Sequence, residues 1–274
     1  MTPATASFRR RLVGGALRRY REAFGATLTD AAEVLGVGLA KVSRIETGER
    51  GIHPDELRLL LTEYEVRDSD VHAALVAIAD PRGVVGWRPE LPGVDRDYLE
   101  LEALCTQACF YAPLRVPEPL QTSAYAESQH RATTGLPDPA VEAILARQSR
   151  LMDGTRTLRV VISEAAVRQV VGGPAVMRQQ VGHLVAVGES AQVGLQVLPF
   201  DGLIHPAPDL GALSIVYFGK AQADLSAAYL PGATAGQLFT GTDAFPYFHA
   251  WEQLEAYALA PEESAALLRQ LAAT

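Results

Sequence analysis

The sequence predicts an α+β protein: an all-α head of five helices followed by a mixed α/β domain. Three observations carry this prediction. Apolar residues recur at helical spacing through about residue 80. Beyond about residue 97, short β-branched runs such as Leu158–Ile162 alternate with helical stretches. Between the two lies a segment crowded with Gly83, Gly86, Pro89, Pro92 and Gly93, a natural junction. The expected organisation is therefore a head at 1–80, a linker at 81–96 and a second domain at 97–274. Trp87 falls in the linker and is expected to dock it onto one of its neighbours.

In the head, Phe8, Leu12, Ala16 and Tyr20 follow helical spacing and predict a first helix over about 8–24. Thr29 is read as the N-cap of a short helix ending near Leu35, with Ala31, Ala32 and Leu35 as a small apolar face. Gly36 supplies a left-handed stop, and Val37 should tuck into the turn. A further helix spans about Leu39–Thr47, with Val42 and Ile45 pointing inward and Lys41, Ser43 and Arg44 on the other face. Gly48 closes it. Pro54 opens a fourth helix carrying Leu57, Leu60, Leu61 and Tyr64. A fifth, about 69–79, carries Val71, Ala74, Leu75 and Ile78 before Pro81-Arg82-Gly83 stops it. A short helix, a glycine turn and a second short helix form a helix-turn-helix, a shape that lays one helix in the major groove of DNA.

The charge is divided accordingly. The whole chain carries −8. Residues 1–52 hold nine Lys and Arg against five Asp and Glu, so this part is +4 and the remainder −12. A basic head on an acidic body suits a DNA-binding domain joined to one that stays off the duplex. Arg9–Arg11 and Arg18–Arg21 are candidates for phosphate contacts. The residues expected to meet DNA are Thr29, Gly38, Leu39, Ala40, Lys41, Ser43, Arg44 and Arg50.

The second domain is read as a helix from near Asp97 to about Tyr111, then a proline-interrupted stretch through Pro119. Helices follow at Tyr125–Thr133 and about Pro139–Met152, a strand at Leu158–Ile162 and a helix at Ser163–Val171. Pro174 opens a helix over about 175–190. Strands are expected at Val193–Leu198, Ala212–Phe218 and Asp224–Leu230, and two helices, roughly 234–258 and 261–272, close the chain. Cys105 and Cys109, the only cysteines, are four apart and read as sharing a helix face as two buried thiols of a cytoplasmic protein. No apolar run reaches membrane-spanning length, and the N-terminus lacks a signal-peptide pattern, so no membrane association is expected.

Two resemblances follow from quoted motifs. V-S-R-I-E-T-G at Val42–Gly48 resembles the ending of the lambda-repressor-like, Xre-type helix-turn-helix, over about residues 8–66. The resemblance implies that Glu46 pairs with a basic residue of the first helix, for which Arg18 or Arg19 is available. Gly38 stands where that family usually has Ser or Thr, and the glutamines common near its helix starts are missing. V-P-E-P-L-Q-T-S-A-Y-A at Val116–Ala126, A-R-Q-S-R-L at Ala146–Leu151, S-E-A-A-V-R at Ser163–Arg168, V-G-G-P-A-V-M at Val171–Met177 and Q-V-L-P-F at Gln196–Phe200 resemble the C-terminal domain of an actinomycete group of such regulators, described as toxin–antitoxin-like. That resemblance covers about 85–270 and implies regulation through a small partner protein encoded nearby. Glu118-Pro119 stands where this group more often has Gly-Leu.

Catalytic signals are thin. Ser163-Glu164, His183, His205 and His249 are scattered, with no zinc, nucleophile-elbow or phosphate-loop pattern. Glu102, Glu164 and Arg168 lie near apolar helix faces and read as structural ion-pair residues. No enzymatic activity, cofactor or metal is expected. The leading expectation is a homodimeric regulator that binds double-stranded DNA and responds to a partner protein or small-molecule effector. The other is a small-molecule-binding protein or enzyme with a vestigial DNA-binding head. A gel shift on the chain's own upstream region separates them.

Overall fold

A computed structural model describes residues 8–80, 93–134, 140–200, 210–219 and 225–273. The predicted fold class holds: a helical region comes first, then a mixed α/β domain with a six-stranded sheet. The segment containing Trp87, at 81–92, and the segment containing His205, at 201–209, lie outside the described residues.

The head has the five expected helices: α1 (Phe8–Phe24), α2 (Leu28–Leu35), α3 (Leu39–Glu46), α4 (Pro54–Glu63) and α5 (Ser69–Ala79). α1 buries Phe8, Leu12, Val13, Ala16 and Leu17, and α4 buries Leu57, Leu60 and Leu61. The Asp68 carboxylate caps α5 by accepting from the Asp70 and Val71 amides. One expected phosphate contact is corrected here. Arg9 is 8 % exposed, and its guanidinium donates to the carbonyls of Ala77, Ile78 and Asp80 at the end of α5. A cation there meets the carbonyl end of the helix dipole and satisfies its orphan acceptors.

Past the head come α6 (Gly93–Glu102), β1 (Gln107–Ala112), a 3-10 turn (Glu118–Leu120), α7 (Ser123–Thr134), α8 (Ala140–Leu151), β2 (Thr157–Ser163), α9 (Glu164–Arg168), α10 (Pro174–Gly188) and β3 (Val193–Leu198). Then follow β4 (Leu213–Tyr217), β5 (Ser226–Leu230), β6 (Gln237–Thr240), a second 3-10 turn (Gly241–Ala244), α11 (Phe245–Tyr257) and α12 (Pro261–Ala272). The sheet order is β3-β2-β1-β4-β5-β6. β2 pairs in parallel with both β1 and β3, in registers that set Gln107 against Thr157 and Leu158 against Val193. Helical crossovers between parallel strands require this arrangement of α7–α8 and α9–α10.

Two expectations are corrected. The helix expected to reach Tyr111 ends at Glu102, and Gln107–Ala112 is a strand. Five of its six residues are buried, as in a parallel strand covered on both faces, so it lacks the alternation that marks a half-exposed strand. Cys105 and Cys109 therefore do not share a helix face, although both are buried and free. Burial pushes the Cys109 thiol up to about 12. The helix expected from about 234 begins only at Phe245, because Gln237–Thr240 forms a short strand at the sheet edge.

Contacts divide the chain into two compact units: the described residues of 1–106, 216–227 and 232–244, and those of 107–215, 228–231 and 245–274. In the second unit, a group of carboxamides ties the loop after β1 to the helices over it. Gln180 of α10 is fully buried; its Oε1 accepts from the Thr122 amide and its Nε2 donates to the Leu120 carbonyl, both at 2.7 Å. Gln121 donates to the Val116 carbonyl at 2.8 Å, and Gln148 of α8 donates to the Gln121 and Glu118 carbonyls. Glu118 pairs with Arg147 of α8 at 2.6 Å. In the same unit Glu164 binds Arg168 and accepts from the Phe200 amide at 2.9 Å. Glu102, in the first unit, accepts instead from the Tyr98 hydroxyl. Both carboxylates are thus held by local structural bonds.

Candidate nucleic-acid interface

The interface is built by α2, the turn after it and α3. The cap of α2 is Thr27, not Thr29. The Thr27 hydroxyl accepts from the Asp30 amide at 3.2 Å, while Asp30 accepts from the Thr27 amide at 2.7 Å and from its hydroxyl at 2.8 Å. Such reciprocal capping needs an acidic residue or glutamine three positions on. Thr27 has Asp30 there; Thr29 would have Ala32. These hydrogen bonds hold the Asp30 carboxyl below the usual carboxylate range, the Thr27 amide contributing most. Thr29 instead sits exposed in the first turn of α2.

Gly36 ends α2 with φ +63°, the left-handed conformation that a side chain disfavours. The Val37 amide then donates back to the Ala32 carbonyl at 2.9 Å, a Schellman-like closure. α3 starts from Gly38, which makes no side-chain cap bond. Its inner face is Val42 and Ile45, each 1 % exposed. α3 packs on α1 so closely that a Cβ at Gly14 would lie 2.3 Å from the Ile45 carbonyl oxygen.

A charged pair locks α3 to α1. Arg21 meets Glu46 in a fork, Nε to Oε1 at 2.7 Å and Nη2 to Oε2 at 2.9 Å, and also donates to the Ala26 carbonyl. The side chains are only 10 % and 6 % exposed. The expected partners, Arg18 and Arg19, are both exposed, and Arg18 pairs with Glu22 one turn along. Arg21 wins because it lies four residues after Leu17, on the buried side of α1. It is therefore structural, as Arg9 is, and not a phosphate ligand. Hydrogen bonding to Glu46 raises the Arg21 guanidinium further above its ordinary range.

The outer face of α3 differs from the sequence expectation at two positions, Lys41 and Thr47. Val42 and Ile45 point inward, so the helical turn angle sends Ala40, Arg44 and Thr47 outward, with Leu39 at the tip. These four are exposed and Ser43 is half-buried beside them. Lys41 lies on the flank toward α4, where its ammonium binds the Glu56 carboxylate at 2.5 Å. That bond holds the Glu56 carboxyl below its ordinary range. The pair's contribution is therefore complete above the ordinary carboxylate range and fades as pH falls through the lowered value. Arg44 donates Nε to the Ala40 carbonyl at 3.1 Å. Thr47 was missed by the sequence reading, although its place one turn past Ser43 could have signalled it. Arg50 is exposed just beyond α3 and, with Arg9, Arg10 and Gly51, lines a pocket of about 220 Å³ between α1, the loop after α3 and α5.

Among the described residues, no group of three or more His, Cys, Asp or Glu side chains gathers to hold a metal ion. No helix among them is long and apolar enough to cross a membrane.

Comparison with known proteins gives two family matches. Residues 12–75 match the family described as a Helix-turn-helix domain, which supports DNA-binding regulation. No curated protein and no solved structure matches. Residues 95–270, well over half of the chain, match a Domain of unknown function (DUF5753), and the chain therefore belongs to that family.

Proposed function

We propose that the protein is a sequence-specific transcriptional regulator of the Xre type, lambda-repressor-like in its head and toxin–antitoxin-like in its second domain. It binds double-stranded DNA as a homodimer in the cytoplasm. Its C-terminal domain carries the dimer contact and receives a signal from a small partner protein or a small-molecule effector. The observation that carries this reading is the exposed outer face of α3, backed by a rigid mount: the Arg21–Glu46 fork and the close approach at Gly14. A helix that presents base-reading side chains needs such fixed support.

In this reading Leu39, Ala40, Ser43 and Arg44 meet the bases, and the bare N-terminus at Gly38, the start of α2 at Thr29, and Arg50 approach the sugar–phosphate backbone. Lys41 reaches DNA only by leaving Glu56. The second domain signals and does not catalyse: its buried Glu164 is already taken up by Arg168 and the Phe200 amide. Two heads one helical turn apart multiply a modest single-site affinity.

The test is a gel shift of the full chain on its own upstream region across a salt series. Retarded bands that survive unrelated competitor DNA, and weaken with salt, are expected. Arg44→Ala should abolish that shift while leaving the melting temperature unchanged. Absence of any DNA retention at low salt overturns the reading.

A further inference from the structure

We infer that α3 reads thymine through its 5-methyl group, with Leu39 as the reading side chain and Ala40 beside it. The inference rests on the DNA-binding reading above and names what the helix recognises. Three observations lead to it.

Leu39 is the first residue of α3, and 48 % of it is exposed. Val42 and Ile45, each 1 % exposed, form the inner face of α3, so Leu39 is not one of its core residues. A side chain of that size at the tip of the presented helix gains when an apolar group covers it.

The basic side chain next to it has been drawn aside. Lys41 binds Glu56 at 2.5 Å on the flank of α3, so its charge is already paired. The leading end of the helix therefore offers Leu39 and Ala40, with the Arg44 guanidinium held at the Ala40 carbonyl behind them.

Gly38 removes the remaining obstruction. Its φ is −74°, an ordinary value, and a Cβ added there would meet nothing within 4 Å. The fold does not demand glycine, and a serine would cap α3 better. What glycine provides is a bare helix start, which lets the tip of α3 come closer to a facing surface.

Among the base edges in the major groove, only thymine presents an apolar group, the methyl on C5. Thymine too presents an acceptor, O4, but its methyl offers a leucine an apolar contact that the polar groups of the other three bases do not replace. A leucine-tipped helix thus favours thymine by methyl contact.

The experiment uses the full chain. Duplexes are first enriched from a random library, and each thymine of the enriched site is then replaced by deoxyuridine, which lacks only the methyl. At one thymine per half-site the wild type should bind roughly fourfold more weakly, the worth of about one buried methyl. Leu39→Ala should bind the thymine and deoxyuridine duplexes equally. Indifference of the wild type at every thymine overturns the inference, and so does a Leu39→Ala protein that keeps the same discrimination. In either case selective binding itself would still uphold the DNA-binding reading. Failure to enrich any duplex would sink both.

Discussion

The head and the second domain bury polar groups in different ways. The head uses charge: Arg21 forks onto Glu46, and Arg9 closes the carbonyl end of α5. The second unit adds neutral carboxamides to its charged pairs: Gln180, Gln121 and Gln148 stitch the loop after β1 to α8 and α10. The difference teaches where each kind of bond is suited. An arginine reaches across a helix pair and can keep part of its stem among apolar neighbours. A glutamine supplies an NH2 with two donors and a carbonyl acceptor at a fixed separation, which suits the amides and carbonyls of an irregular loop.

The largest effect tests the helix contact that the charged lock secures. Gly14→Ala places a methyl group against the Ile45 carbonyl oxygen and should cost about 3 kcal/mol or more, read as a lowered melting temperature. Gly15→Ala is the control, because its Cβ would meet only the end of the flexible Arg19 side chain at 3.7 Å. It should stabilise α1 by a few tenths to about 1 kcal/mol. If both substitutions behave alike, the close approach of α1 and α3 is wrong.

Next come the two locks themselves. Glu46→Ala strands a buried guanidinium and should cost about 3 kcal/mol by denaturant unfolding. Gln180→Leu leaves the Thr122 amide and Leu120 carbonyl without their buried partner and should cost about 2 kcal/mol. Comparable losses for Glu46→Ala and for Arg18→Ala, whose pair with Glu22 is exposed, would erase the distinction between buried and surface pairs drawn here.

A smaller effect separates two threonines. Thr27→Ala removes the cap of α2 and should cost about 1 kcal/mol, whereas Thr29→Ala should change stability by only a few tenths. The reverse order would restore the sequence-based cap assignment. The smallest effect concerns an exception to the head's habit of pairing buried polar groups. The Tyr64 hydroxyl is buried without a hydrogen-bond partner, and burial pushes it up to about 12. Tyr64→Phe removes that hydroxyl and should leave stability unchanged or raise it by up to about 1 kcal/mol. A clear loss of stability would mean that the hydroxyl is satisfied.

Much of the head was legible in the sequence. Helical spacing placed α1, α3, α4 and α5 within a residue or two, and the glycine at 36 marked the turn. The capping threonine was misplaced because two threonines flank Leu28, and only the reciprocal bond to Asp30 separates them. On α3, residue types alone could not tell that Lys41 turns toward Glu56, fifteen residues on. In the second domain, β2 and β3 were legible as β-branched runs, while β1 and β6 were not. Gln107–Ala112 carries no alternation and no Gly or Pro before it, so it reads as a continuation of the preceding helix. The burial of Gln121 and Gln180 left no mark in the sequence, since glutamine is seldom fully buried.

By itself the sequence determined what depends on neighbours along the chain: helical periods, the stop at Gly36, the division into a basic head and an acidic remainder, and the exposed apolar residue that begins α3. Tertiary structure alone decided which arginine meets Glu46, which way Lys41 turns, and that Gln107–Ala112 becomes a strand between β2 and β4. The physical reason is range. Helical hydrogen bonds close within four residues, so their pattern is written locally. A strand or an ion pair is completed by a partner many residues away, and its identity is settled only when the fold brings the two together.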